Sequence, residues 1–343
     1  MGIEPTTHAL RMRCSTPELL RLFPSISPEF GEPIFNPAAR AVMRFFPFTS
    51  PLFSGILPGM PPKEQSSRSR SNYEEGDWYD VPQFYDAVFD EGTKSEANFL
   101  EGVWRKFGGG RRKWGSRRAR QPLRILEPAC GSGRLMLELA KRGHEVSGFD
   151  ANPRMLEEAR TKLQLKGVGG KLWQSTFETF TSSSRFDLTH CLLSTFKYVQ
   201  TEKDAIAHLR QSAQQLVKGG LYVLGIHLTD YNRTRNQGER WDGKGRDYSV
   251  ISRTWTEPPN RRTRSEKLRN RLRVRFSSAK KRPDLRLETE WVCRTYDARQ
   301  LKRLLSKIPE LNCVACFDFT YDLASPRELD DSQEDVVLIL VKS

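Results

Sequence analysis

The most informative part of this 343-residue sequence is Ile125-Leu-Glu-Pro-Ala-Cys-Gly-Ser-Gly-Arg134. An apolar run typical of a strand, from Leu123 to Glu127, leads into Gly131 and Gly133, and a helix from Leu135 to Lys141 follows. Glycines at such a turn let a ligand approach the backbone, and the helix N-terminus offers free N–H donors. The segment therefore predicts a strand–turn–helix unit that binds a ligand.

Strands and helices alternate on the carboxyl side of this unit. The further strands are predicted at residues 145–150, 171–175, 186–193 and 221–228, and the further helices at 153–166 and 202–217. A last helix at 298–308 and two strands at 313–321 and 336–341 complete the pattern. Such alternation means a parallel sheet covered on both faces. We predict an α/β, Rossmann-like fold with a seven-stranded, mostly parallel sheet.

The pattern breaks after the fifth strand of this series. Residues 230–245 are polar and loop-like, and strand-like runs follow at 248–255, 268–276 and 285–296. The middle run alternates apolar and basic residues, which is typical of a sheet with one dry and one wet face. Consecutive strands without helices predict an antiparallel β insertion over residues 229–297.

The N-terminal part divides in two. Residues 1–72 are rich in Pro and Ser, without sustained periodicity, and predict a disordered or extended tail. From residue 73 onward, aromatic and apolar residues at helical spacing predict two helices, followed by a basic loop from Gly110 to Arg120. We therefore expect one domain over residues 73–343, whose first part, 73–122, is helical.

Two details of the glycine turn distinguish between nucleotide-type ligands. The third glycine of a dinucleotide fingerprint is missing, because Met136 stands in its place. In addition, Glu127 lies at the tip of the strand. A carboxylate there would repel a pyrophosphate but suits a ligand with an ammonium and a sulfonium. The electrostatics therefore favour S-adenosylmethionine (SAM) over NAD.

The next two strand ends add to this constellation. Asp150 ends the second strand and can accept both hydroxyls of a ribose, although it could instead cap the helix at Pro153. Thr176 and Phe177 follow the third strand, where a polar group beside an aromatic ring suits an adenine. Phe177 could instead pack in the core. All three elements in this order favour a SAM site.

The span from Tyr73 to Lys342 resembles the class I SAM-dependent methyltransferases, and within them the glycine/sarcosine N-methyltransferase-like branch that acts on small molecules. The matching motifs are Glu127–Gly133, His144–Asp150 with Asn152–Leu156, Phe186-Asp187 and Leu216–Leu221.

This resemblance implies a role for individual residues. Gly131 and Gly133 would line the methionine moiety, Asp150 the ribose and Met155 the adenine. The family often has an acid at the position of Thr176, so adenine recognition here would depend on backbone groups and Phe177.

The segment Tyr79–Phe89 resembles the N-terminal lid helix of the family, which makes Tyr79 and Tyr85 candidates for contact with the cofactor's carboxylate or the substrate. Simple amphipathic packing is the alternative. We predict no metal site, and the predicted cofactor-binding residues are Tyr85, Glu127, Ala129, Gly131, Gly133, Asp150, Ala151, Met155, Thr176, Phe177 and Cys191.

Methyl transfer from a sulfonium mainly requires alignment and exclusion of water, and a base is optional for amine acceptors. His227 and Tyr231, at the end of the fifth strand, are the predicted catalytic residues. For His227 the alternative is a hydrogen bond within the fold. The residues that follow the fourth strand are also expected to face the methyl group, namely Ser194, Thr195, Phe196 and Tyr198.

Three functions remain open. A small-molecule N- or O-methyltransferase comes first, because Leu193-Ser-Thr-Phe196 lacks the Asn/Asp-Pro-Pro-aromatic tetrad of enzymes that act on base amines. A methyltransferase of RNA or another polyanion is the second, with Arg261–Arg275 and Arg111–Arg120 as docking surface. A non-catalytic SAM-binding protein is the third. The acceptor is not decided by the sequence.

Charge and cysteine content bear on partners and compartment. The net charge is +14, concentrated in residues 102–122 and 230–282, which indicates either polyanion binding or a solvated surface. The six cysteines are scattered, which predicts reduced thiols in a cytoplasmic protein. No stretch predicts a membrane span or a targeting signal. The insertion is expected to roof the pocket or to pair subunits in a homodimer.

Overall fold

The computed structural model describes residues 72–90, 92–109, 121–277 and 282–343. The predicted tail, apart from its last residue, and the basic loop 110–120 lie outside the described residues. The helices are α1 (Pro82–Phe89), α2 (Thr93–Phe107), α3 (Arg134–Lys141), α4 (Pro153–Leu165), α5 (Glu202–Gln215) and α6 (Ala298–Leu305). The strands are β1 (Glu74–Glu75), β2 (Arg124–Pro128), β3 (Glu145–Asp150), β4 (Lys171–Gln174), β5 (Phe186–Cys191), β6 (Leu216–His227), β7 (Gln237–Lys244), β8 (Tyr248–Thr256), β9 (Ser265–Phe276), β10 (Leu285–Arg294), β11 (Leu311–Phe317) and β12 (Asp335–Lys342).

The central sheet has seven strands in the order β11-β12-β6-β5-β2-β3-β4. β12 is antiparallel to both of its neighbours, and the pairs from β6 to β4 are parallel. This confirms the predicted α/β, Rossmann-like sheet. β2 and β5 are neighbours at the middle of the sheet: the chain adds β3 and β4 on one side of β2, and then continues with β5 and β6 on its other side. Ligands of such sheets bind at the carboxyl ends of the strands that flank this point.

Each face of the central sheet carries its own core. Side chains of α2 and α3, such as Leu100 and Leu139, pack with Ile125 and Leu188 on one face. Side chains of α5 and α6, such as Leu209 and Leu301, pack with Leu126 and Leu224 on the other. Successive residues of a strand point to opposite faces, so the unbroken apolar runs of these strands are explained by burial on both sides.

The antiparallel insertion forms a second sheet in the order β1-β10-β9-β8-β7. The three predicted strands are present, and β1 adds a short parallel pair on β10. The loop predicted over residues 230–245 is wrong, because residues 237–244 form β7, which pairs with β8. β7 is an edge strand whose residues are all exposed except Gly243. A Cβ atom at Gly243 would lie 2.2 Å from the carbonyl oxygen of Ala87, so only glycine lets the strand lie against α1.

Helix α1 packs on the inner face of this second sheet. Phe84 and Val88 are buried with Val250, Leu272 and Val274 in a separate apolar cluster. We call the second sheet the roof. Among the described residues, we find no helix with the length and apolar character needed to cross a membrane.

Candidate cofactor site

The glycine turn between β2 and α3 is held in left-handed backbone conformations. Gly131 has a φ angle of 54° and Gly133 one of 71°. A Cβ atom at Gly133 would lie 2.9 Å from the Cβ of Ala159 in α4, whereas a Cβ at Gly131 would meet nothing nearer than the Met155 sulfur at 4.0 Å. Gly133 therefore permits close packing of α3 on α4, and Gly131 leaves open space at the end of β2.

A cavity lies over this turn and is closed by α1. Its lining residues come from α1, the glycine turn and the segment after β5, and they are Tyr85, Glu127, Pro128, Ala129, Cys130, Gly131, Ser132, Arg134, Leu135, Leu192, Leu193 and Thr195. The structure thus brings together four of the predicted cofactor residues: Tyr85, Glu127, Ala129 and Gly131. Of the residues predicted to face the methyl group, Thr195 lines the cavity.

Glu127 is the most unusual group of this cavity. Its Oε2 atom is buried and has no hydrogen-bond partner among the described residues. Burial raises the pKa of Glu127 to about 8, although Arg134 acts in the opposite direction. Arg134 is itself paired with Glu96 at 2.7 Å. Buried polar groups are normally hydrogen-bonded, so the Oε2 atom lacks a cationic or donor partner in the described part of the chain, and the side chain that carries it lines the cavity.

Asp150 is fixed by the glycine turn itself. One carboxylate oxygen accepts the N–H of Gly131 at 2.8 Å, and the other accepts that of Asn152 at 2.8 Å. The cap of α4 is Asn152, whose side chain accepts from Arg154 and Met155, so the alternative of Asp150 as the cap is wrong. Burial raises the pKa of Asp150. Each carboxylate oxygen can accept a second bond, which leaves room for ribose hydroxyls.

The residues predicted at the adenine end are largely part of the core. The ring of Phe177 packs edge-on against His208 at 4.8 Å and is buried, as in the alternative interpretation. Met155 and Cys191 are also buried, and burial raises the pKa of the Cys191 thiol. The hydroxyl of Thr176 is 3.0 Å from that of Thr179. The roles of Phe177, Met155 and Thr176 in binding adenine, and of Cys191 in binding the cofactor, stay predictions.

Ala151 also lies at this end of the site. It follows β3, and its carbonyl accepts a hydrogen bond from Gln174 at 3.0 Å. Its place in a cofactor site likewise stays a prediction.

The two predicted catalytic residues have different surroundings, and neither lines the cavity. His227 ends β6, its backbone N–H donates to Ser194 Oγ at 2.6 Å, and its ring packs on Phe319. His227 is an exposed residue. Even so, partial desolvation of its ring and the positive charge of Lys197 lower the pKa of the imidazole. The imidazole is therefore neutral near pH 7.

Tyr231 is a structural link rather than a free hydroxyl. Its oxygen lies 2.6 Å from Thr295 Oγ1 and donates to Gln300 Oε1 at 3.1 Å. The hydroxyl connects the loop after β6 to the end of the roof and the start of α6. This is not the surrounding of a general base, and the structure does not bring Tyr231 to the cavity.

The other residues that follow β5 have structural contacts. Phe196 is fully buried, and the Ser194 hydroxyl accepts from His227. Tyr198 shares a hydrogen bond with Tyr79, with 2.7 Å between the hydroxyls. The prediction that this whole segment faces the methyl group is therefore wrong for Phe196, whose ring belongs to the core.

Helix α1 is fastened over the glycine turn by residues that the sequence reasoning missed. The Asp86 carboxylate accepts hydrogen bonds from the Ser132 hydroxyl and from the Lys162 ammonium. Lys162 also donates to the Ser132 carbonyl at 3.3 Å. We call Asp86, Ser132 and Lys162 the latch. The middle position of Gly131-Ser-Gly133 is the only sequence signal that could have pointed to it.

Several basic side chains of the roof are paired with acids. Arg269 pairs with Glu290 at 2.5 Å, Arg271 with Glu288 at 2.5 Å, and Arg273 with Asp284 at 2.6 Å. The acids come from β10 or from just before it, so they lie beside the basic strand β9. This pairing favours a solvated surface over a docking surface for polyanions.

Comparison with known proteins agrees with this geometry. Residues 125–220 match a protein family described as "Methyltransferase domain". A putative methyltransferase from Geobacillus sp. (strain WCH70) is 28% identical over 106 residues, which are 31% of this chain and 43% of that protein. A ubiquinone biosynthesis O-methyltransferase from Rickettsia felis is 28% identical over 32% of this chain and 48% of that protein. The chain thus spans less than half the length of these curated relatives.

The fold has a counterpart among solved structures. An S-adenosylmethionine-dependent methyltransferase from Clostridium acetobutylicum superposes with a TM-score of 0.60 at 17% identity, over 77% of this chain and 98% of the other. Together these matches confirm the resemblance to the class I SAM-dependent methyltransferases and the fold that it implies. They do not single out the glycine/sarcosine branch.

Proposed function

We propose that this protein, whose residues 125–220 match the methyltransferase-domain family, transfers a methyl group from SAM to a nucleophilic nitrogen or oxygen of a small molecule. The observation that carries the proposal is the Glu127 carboxyl in the wall of the cavity, beside the open turn at Gly131. This arrangement offers an acceptor to the ammonium of the cofactor and free space to its chain. Bound SAM would supply an electrophilic methyl group with a good leaving group.

The chain's own residues would hold the cofactor along the carboxyl ends of β2 and β3. Glu127 would accept the ammonium, and Asp150, already oriented by Gly131 and Asn152, would accept ribose hydroxyls. Tyr85 would cover the methionine end from α1. Because α1 is fastened over the turn by the latch, these residues also keep water away from the reacting sulfur.

The acceptor side is proposed at Leu193 and Thr195. Both line the cavity, and Leu193, at a φ angle of 54°, is an exposed apolar side chain. His227 at the end of β6 is neutral near pH 7, so it could take a proton from an acceptor hydroxyl. Ubiquinone biosynthesis O-methyltransferases among the relatives support a small acceptor.

The test is a transfer assay with tritiated SAM over a panel of amines, hydroxylated aromatics, sugars and total RNA. We expect label in a small molecule and loss of transfer in Glu127→Gln. Label in RNA, with binding that falls steeply as salt rises, would replace the proposal by the polyanion alternative. SAM binding without transfer to any acceptor would favour a non-catalytic role.

A further inference from the structure

A second buried polar group lies on β5, the strand next to Glu127. His190 is the fifth residue of β5 and is 1% exposed. Neither of its ring nitrogens has a hydrogen-bond partner among the described residues. An unpaired buried polar group is destabilising, so a fold does not retain one without a reason.

The unpaired atoms of His190 and Glu127 face each other. His190 Nε2 lies 4.0 Å from Glu127 Oε2. Leu126 of β2 is opposite Thr189 of β5, and the next residues along the two strands are Glu127 and His190. The pair therefore lies where β2 and β5 separate, at the turning point of the central sheet. A gap of 4.0 Å is too long for a hydrogen bond, but a shift of about 1 Å would close it.

Resting on the proposed function, we infer that His190 is a positioning residue for the cofactor's ammonium. When the ammonium meets one oxygen of Glu127, His190 Nε2–H donates to the other oxygen and holds the ionised carboxylate in place. The imidazole acts as a neutral donor and not as a counter-ion. His190 contacts the cofactor only through Glu127.

The charges around Glu127 agree with this role. Arg134 of α3 favours the carboxylate, and Glu96 of α2 and Asp150 of β3 oppose it. Arg134 forms an ion pair with Glu96, so it is not available to pair with Glu127. The other titratable groups near the pair are Tyr85 on α1 and the thiols of Cys130 and Cys191. Burial lowers the pKa of His190 to about 3, which keeps its ring uncharged.

A proton should therefore leave the protein when the ammonium binds. Because the pKa of Glu127 is raised to about 8, its carboxyl is protonated in the free protein at neutral pH. Pairing with an ammonium requires the carboxylate. The proton passes to solvent, and the resulting carboxylate accepts the bond from His190 Nε2–H.

The experiment compares two ligands that differ at the amino-acid end. S-adenosylhomocysteine carries the ammonium, and 5′-methylthioadenosine lacks the amino-acid part. Calorimetry on the full chain at pH 7 in buffers of different ionisation enthalpy should show release of close to one proton with the first ligand and none with the second. Affinity for S-adenosylhomocysteine should rise by about tenfold per pH unit below pH 8, with no rise for 5′-methylthioadenosine.

Variants then isolate His190. We expect His190→Leu to lower the affinity for S-adenosylhomocysteine by about 10-fold to 100-fold, which corresponds to the loss of a hydrogen bond to a charged group. Binding of 5′-methylthioadenosine should be unchanged. His190→Gln, which keeps an N–H donor, should restore most of the loss. The matched control is His144→Gln. It changes a half-buried histidine that lies 3.1 Å from Glu101 just before β3, at the amino-terminal ends of the parallel strands and away from the cavity.

Each outcome decides the matter. Equal losses for both ligands in His190→Leu would overturn the role of His190 and leave the proposed function standing. If the wild type binds neither ligand, the proposed function fails as well. If the Leu variant does not fold, His190→Gln carries the test, because equal losses for both ligands in that variant would likewise overturn the role.

Discussion

At the scale of the residue, two glycines only two positions apart have different physical tasks. Both have positive φ angles, which cost an L-residue about 1–2 kcal/mol. The space around them separates their roles. Gly133 touches Ala159 of α4, while Gly131 faces the open cavity.

The first prediction follows from this difference. Gly133→Ala should lower the free energy of unfolding by about 2–4 kcal/mol, since backbone strain and a clash at 2.9 Å add up. Gly131→Ala should lower the free energy of unfolding by about 1–2 kcal/mol but reduce the affinity for SAM at least tenfold. Chemical denaturation and calorimetry measure the two quantities. Equal destabilisation with unaltered SAM affinity in both variants would contradict the proposed site.

A second prediction separates the two candidates for a base. Tyr231→Phe should lower the melting temperature, because it breaks contacts to Thr295 and Gln300, and should leave kcat within about twofold. His227→Asn should reduce kcat for a hydroxyl acceptor by about 10²–10⁴-fold. Steady-state rates with the acceptor found in the panel decide it. A collapse of kcat in Tyr231→Phe without loss of stability would return Tyr231 to the catalytic set.

At the scale of the element, α1 joins the roof to the glycine turn and contributes Tyr85 to the cavity wall. Its apolar side packs on the roof, and its Asp86 reaches the glycine turn and α4. The segment before α1 is tied to α4 as well, because Asn152 donates to Asp80 at 2.9 Å. These polar contacts lie at the surface of α4 and next to the cavity, so their loss should change closure more than folding.

The third prediction tests the latch. Asp86→Asn should speed the dissociation of S-adenosylhomocysteine by about tenfold, since Lys162 and Ser132 lose a charged acceptor. The free energy of unfolding should change less than the binding energy. Stopped-flow displacement provides the rate. Asp90→Asn, at the end of the same helix, is the control, and an equal effect there would argue against a latch.

At the scale of the whole molecule, burial of ionisable groups sets the response to pH. Glu127 has a raised pKa of about 8, so the folded state binds one proton more than the unfolded state between about pH 4.5 and 8. His190 and His208 have pKa values lowered to about 3, so the unfolded state binds more protons between about pH 3 and 6.5. The histidines thus favour folding as pH rises toward 6.5, and Glu127 opposes it up to pH 8.

The fourth prediction is a stability maximum of the ligand-free protein near pH 6.5. Above it, stability should fall by about 1.4 kcal/mol per pH unit until pH 8. Glu127→Gln should remove this decline, and saturating S-adenosylhomocysteine should remove it in the wild type. Urea titrations at a series of pH values measure the slopes. A decline that persists in Glu127→Gln would assign it to another group.

The central sheet could be predicted from the sequence, because its strands are apolar runs bounded by Gly, Asp and polar turns. The sequence was insufficient for β7, whose existence depends on pairing with β8 and on the backbone contact of Gly243 with Ala87. The placement of Glu127, Gly131 and Asp150 at the carboxyl ends of β2 and β3 could be predicted, because position along a parallel strand fixes where its end lies.

The long-range contacts of other residues could not be predicted in this way. Asp86 contacts a residue 76 positions away, and Tyr231 is occupied by partners 64 and 69 positions later. Spacing along the chain does not reveal such pairs. His190 also stands in an apolar strand, where its orphaned nitrogens become visible only once β2 is its neighbour.

Helix α1 touches the roof with one side and the glycine turn with the other, and this has a thermodynamic consequence. Any molecule that displaces the roof also displaces the helix beside the cavity, so binding at the roof and binding in the cavity are linked, and each changes the affinity of the other by the same factor.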